Sequence, residues 1–77
     1  MSPKLRPVSG AEVIRVLGHL GYVRVRQRGS HVILKKTLLN GGELGCVVPL
    51  HQELPVGTLR NILRQAEITP DEFIKRL

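Results

Sequence analysis

One period-2 run governs what this chain can become. Tyr22-Val23-Arg24-Val25-Arg26-Gln27-Arg28 sets an arginine at every second position, breaks at Gly29-Ser30, and resumes as His31-Val32-Ile33-Leu34-Lys35-Lys36. Alternation at this period belongs to strands with one solvated face, and a Gly-containing break between two such runs belongs to a hairpin. Val23 and Val25 are expected to face the core from the first strand, and Val32 and Leu34 from the second. His31, Ile33 and Lys35 then take the other parity, so that His31 shares the open face with Arg24 and Arg26. A one-residue bulge at Gly29 would reverse this, because a slip of one position turns every side chain over.

The rest of the chain supplies what such a sheet needs for a second layer. Ser9 and Glu12 stand three apart, the spacing at which each side chain caps a backbone N–H of a first helical turn. Val13, Ile14, Leu17 and Leu20 follow as one apolar stripe, and Gly21 supplies the stop. His19, in the last turn, reads as a surface helix residue. Residues 37–44 contain Asn40-Gly41-Gly42, a loop or loose hairpin, and a third strand over 45–49 ends at Pro49. Val56, Leu59, Ile62, Leu63 and Ala66 mark a second amphipathic helix with Arg60 and Arg64 on its outer surface. Thr69-Pro70-Asp71-Glu72 opens a short last helix anchored by Phe73. The expected class is α+β: an α-β-β-β-α order with the helices on one face of a three-stranded antiparallel sheet and a short C-terminal helix, the outline of a double-stranded-RNA-binding domain. Residues 1–8 read as a flexible N-terminal arm and 9–77 as the single domain.

Size and charge narrow the function. Seventy-seven residues make one modest core, since a chain this short buries roughly 60–65% of its unfolded surface. A nucleotide-binding domain plus a catalytic domain does not fit. Twelve Lys and Arg against six Asp and Glu give +6, so the expected partner is polyanionic. The lone Cys46 excludes an internal disulfide and a Cys-based metal site, and its apolar setting reads as a buried, inert thiol suited to a reducing cytoplasm. No membrane span and no apolar leader stretch is present. Only Tyr22 and Phe73 are aromatic, which disfavours readers that stack single-stranded bases on a sheet. The three-strand insert between the helices disfavours a helix-turn-helix reader of DNA.

His31, at a hairpin mouth ringed by cations, has the chemistry of a proton-transfer group beside a docked phosphodiester. RNA carries its own nucleophile, the 2′-OH, so its cleavage needs only a base, an acid and cations to stabilise the phosphorane. Imidazole titrates near neutrality and serves either proton role. Arg24, Arg26, Arg28, Lys35 and Lys36 are candidates for the electrostatic role, and the Gly29 and Ser30 backbone N–H groups for phosphate contact. The competing reading is that His31 is a turn residue beside a solvated charged face. His51, just after the third strand, is either a partner acid or a residue that bonds a loop carbonyl. The three histidines lack metal-ligand spacing, and no metal or small-molecule cofactor is expected.

These residues resemble the HicA family of mRNA interferase toxins. The likeness runs through Ser9-Gly10, Leu17 to Tyr22, Val25-Arg26-Gln27-Arg28-Gly29-Ser30-His31 and Val48-Pro49-Leu50-His51. It continues through Gly57-Thr58-Leu59-Arg60, Ile62-Leu63, Gln65-Ala66, Ile68-Thr69-Pro70 and Glu72-Phe73. Val32 stands where family members often have an aromatic residue or a second histidine, and Tyr22 where Phe is frequent. The resemblance implies a double-stranded-RNA-binding-like fold and ribosome-independent cleavage of mRNA. It also implies an essential histidine matching His31, and neutralisation by a HicB-type antitoxin. The alternative within the same fold is a non-catalytic module that binds duplex RNA or a protein.

Overall fold

The computed structural model describes residues 5–77. Helix α1 (Gly10–His19) begins where Ser9 and Glu12 cap each other. The Ser9 hydroxyl accepts the Glu12 N–H at 3.0 Å, and the Glu12 carboxylate accepts the Ser9 N–H at 3.1 Å. Such a cap is worth about 1 kcal/mol, and the hydrogen bond from the Ser9 backbone holds the Glu12 carboxyl below its usual range. At the other end Gly21 takes φ +100°. Its N–H reaches the Gly18 carbonyl and the Tyr22 N–H reaches that of Leu17, the paired bonds of a Schellman ending that favours glycine.

Strands β1 (Val23–Arg28), β2 (His31–Thr37) and β3 (Glu43–Pro49) form one antiparallel sheet in the order β1-β2-β3. Gly29 and Ser30 make the two-residue β1–β2 turn, with Gly29 at φ +57°, the positive angle that tight hairpins require at this position. Helices α2 (Val56–Gln65) and α3 (Pro70–Lys75) follow. Helix α3 is capped by Thr69 and Glu72 as α1 is by Ser9 and Glu12. The core lies between the helices and the inner parts of β2 and β3. Val32, Leu34, Cys46 and Val48 meet Val13, Val16 and Leu17 of α1, Leu59, Ile62 and Leu63 of α2, and Phe73 of α3. Each large apolar side chain buried here contributes about 1.5–3 kcal/mol. Together these outweigh the exposed ion pair between Lys35 and Glu43 at 3.8 Å, of a class worth about 0–1 kcal/mol. The sequence-predicted class is the one observed, an α+β fold of the double-stranded-RNA-binding type.

The arm expected over 1–8 meets the domain at its inner end. Val8 is buried and bridges Leu54, whose N–H donates to the Val8 carbonyl at 2.7 Å, and Leu5 packs on the core. Residues 1–4 of that arm lie outside the described residues.

The first strand departs from expectation. All six β1 residues are exposed, Val23 at 60% and Val25 at 50%, so neither valine faces the core. The pairing Arg24 with Leu34 is followed by Arg26 with Ile33, leaving Val25 as an extra residue. The bulge therefore sits at Val25 and not at Gly29. Directly paired residues project to the same side of a sheet. Arg24 falls on the side of buried Leu34, whereas Arg26 and Arg28, opposite Ile33 and His31, share the open face with the histidine.

Candidate functional site

Three segments converge at the turn end of the sheet. His31 pairs with Arg28 on one side and with Pro49 on the other. Beyond β3 the pairing continues by one residue, since the Leu50 N–H donates to the Ser30 carbonyl at 2.6 Å. The start of α1 closes the group, with the Gly10 N–H donating to the His51 carbonyl at 2.9 Å. Gly10 is buried, and a Cβ there would overlap the Pro49 carbonyl oxygen. The β1–β2 turn is braced as well, by the Gln27 side-chain amide on the Gly29 carbonyl at 2.9 Å.

On this frame the open face carries a defined pattern. Arg26, Arg28 and His31 form its basic end, all exposed. Ile33 and Val47, paired across β2 and β3, form an apolar centre, with Ile33 partly buried and Val47 at 43% exposure. Lys35 stands beyond them, already engaged with Glu43. Arg24 is exposed on the opposite side of the sheet, and Lys36, also on that side, lays its aliphatic stem beside Gly21. Of the candidates read from the sequence, the fold brings Arg26, Arg28, Gly29, Ser30 and His31 together. It separates Arg24 and Lys36 from them and pairs Lys35 with Glu43.

The His31 and His51 imidazoles are exposed, and neither makes a hydrogen bond with the chain among the described residues. The loop-carbonyl role weighed for His51 is inverted: its own backbone carbonyl accepts from Gly10, and the ring is left free for solvent or ligand. No group of three or more His, Cys, Asp or Glu side chains converges among the described residues. The site's chemistry rests on imidazoles, guanidiniums and backbone amides. That set can accept and donate a proton and can stabilise an anion. What sequence reading missed here is Gly10 itself. Ser9-Gly10 reads as a helix start, and its close approach to Pro49 is a tertiary contact with no local signal.

None of the described helices is long and apolar enough to cross a membrane. No curated protein matches the chain. A family model described as the HicA toxin of bacterial toxin–antitoxin systems matches residues 10–68, which spans α1, the whole sheet, α2 and the residues that hold His31 and His51. The chain belongs to the HicA toxin family, the toxin half of a bacterial toxin–antitoxin pair.

Proposed function

We propose that this toxin is an endoribonuclease that cleaves mRNA in the cytoplasm without a metal, with His31 as its proton-transfer residue. The observation that carries the reading is the placement of an exposed imidazole beside Arg26 and Arg28 on one solvated face. A phosphodiester lying over the turn meets the two guanidiniums and the Gly29-Ser30 backbone. The His31 ring then faces the 2′-OH, the nucleophile that RNA itself supplies. General base catalysis of this kind contributes about 10²–10⁴-fold. Fixed cations aimed at the phosphorane add a comparable factor per interaction, about 10²–10³. Lys35, farther along the same open face, joins as an outer phosphate contact that raises affinity without touching the reacting centre, whereas Arg24, on the other side of the sheet, stays outside this path.

A toxin of this family has an antitoxin partner, and we infer one of HicB type that occludes the same face. Ile33 and Val47 offer it a desolvated centre, where most binding energy resides. Arg26, Arg28 and Lys35 around them would steer acidic side chains into register. Growth of a host after induction tests the reading. The wild-type chain is expected to arrest growth, His31→Ala to permit it at equal protein level, and a co-produced HicB-type antitoxin to restore it. Arrest by His31→Ala equal to wild type contradicts the assignment.

A further inference from the structure

We propose that His51 is the general acid of the reaction, donating a proton to the 5′-oxygen as it leaves. This rests on the nuclease reading above and completes it, since a single histidine acting as base leaves the departing oxygen unassisted. The backbone fixes the geometry. Opposed Cα atoms in an antiparallel pair lie about 4.5–5.5 Å apart, and Pro49 is the residue opposed to His31. Two further residues add at most about 7 Å. The Leu50 bond to Ser30 keeps the segment against the turn instead of leading it away. The Gly10 bond to the His51 carbonyl then fixes the backbone at residue 51 and leaves its ring exposed and unbonded within the described chain. The two exposed histidines thus stand at one end of the sheet with Cα atoms no more than about 12–13 Å apart, a span that two imidazole side chains and one phosphate can bridge.

The other titratable groups are poorer candidates. His19 stands at the far end of α1 from Gly10, about 14 Å away over nine steps of about 1.5 Å. The Glu12 carboxylate is occupied by its cap and held ionised, with no proton to give near neutrality. Arg26 and Arg28 do not release protons in this range. Glu53, two residues beyond His51 and exposed, is the alternative that a test must exclude.

The step balances with two protons in motion. Neutral His31 takes the 2′-OH proton as the 2′-oxygen bonds to phosphorus, while His51, starting as imidazolium, gives its proton to the 5′-oxygen as that P–O bond breaks. The products are a 2′,3′-cyclic phosphate, a 5′-hydroxyl, His31 as imidazolium and neutral His51. Exchange with water resets both rings.

The test compares two substrates. One is an oligoribonucleotide carrying a mapped cleavage site, and the other is the same molecule with sulfur replacing the bridging 5′-oxygen at that site, whose thiolate leaves without a proton. His51→Ala is expected to lose about 10²–10⁴-fold on the oxygen substrate and to fall within about tenfold of wild type on the sulfur one. His31→Ala is expected to lose on both, and Glu53→Gln on neither. The ratio of the two rates does not depend on the fraction of folded protein, so a partly unfolded His51→Ala still reports, and His51→Gln serves as the second variant. An unchanged ratio in both variants, while the wild type cleaves, overturns the role of His51 and leaves that of His31 standing. No cleavage of either substrate by the wild type overturns the nuclease reading and this one with it.

Discussion

Cys46 and Tyr22 are ionisable side chains that this fold takes out of water. Desolvation pushes the Cys46 thiol from 9.0 up to about 11, and the Tyr22 phenol from 10.0 up to about 12. Tyr22 also donates its hydroxyl to the Ala66 carbonyl at 2.8 Å, tying the start of β1 to the end of α2. Both values are raised on folding, so the folded chain keeps protons that the unfolded chain releases. Their contribution to stability is whole below the unfolded values near 9 and 10 and is lost as pH rises through 11 and 12. The urea midpoint is therefore expected to fall from about pH 9 upward, and less steeply in Cys46→Ala with Tyr22→Phe; a level midpoint across that window contradicts the burial of both groups. At this scale the sequence was informative about residue type and silent about facing. The inert thiol was legible from Gly45-Cys46-Val47-Val48, and the outward parity of His31 and Ile33 from the alternation of β2. The facing of Arg24 was not, because it depends on one extra residue at Val25 that propensity does not mark.

Helix α1 holds two glycines whose surroundings give the same substitution opposite signs. A Cβ at Gly10 would run into the Pro49 carbonyl, whereas at Gly18 it meets nothing within 4 Å. Gly18→Ala is expected to stabilise the chain by about 0.5–1 kcal/mol, the usual gain of alanine over glycine in a helix. Gly10→Ala is expected to destabilise it by about 1–3 kcal/mol, as overpacking does. It should also lower cleavage beyond the loss of folded protein, because relief of the overlap moves Pro49–His51 off the turn. Thermal denaturation of the two variants beside wild type checks both signs, and equal shifts contradict the packing described. The elements themselves were largely legible: the Ser9–Glu12 and Thr69–Glu72 caps, the Gly21 stop and the Gly29-Ser30 turn are local signals, and each marks an observed boundary. The exposure of the whole of β1 was not legible. Alternation shows only that a strand has two faces, and β1 is an outer strand whose six residues all remain in solvent.

Across the whole molecule, an excess of +6 on 77 residues attracts any polyanion, and its distribution decides what the attraction achieves. If roughly four to six phosphates of single-stranded RNA are neutralised, log K against log salt should slope about −3 to −4. Measured on a His31→Ala background, Arg26→Ala with Arg28→Ala is expected to flatten that slope by about one to two units. Lys35→Ala should change it less, because Glu43 already engages that ammonium. A slope that is flat in the parent would make the basic end a solvated surface only. Binding alone, however, suits a toxin that cleaves and a module that merely holds duplex RNA. The measurement that separates them is cleavage of a long unstructured RNA by purified protein in EDTA, with product ends identified and circular dichroism recorded on each variant. The expected result is a 2′,3′-cyclic phosphate and a 5′-hydroxyl from the wild type, and none from a folded His31→Ala that still binds. Full cleavage by His31→Ala, or an intact RNA bound by the wild type, would contradict the assignment of this face as a metal-free nuclease site.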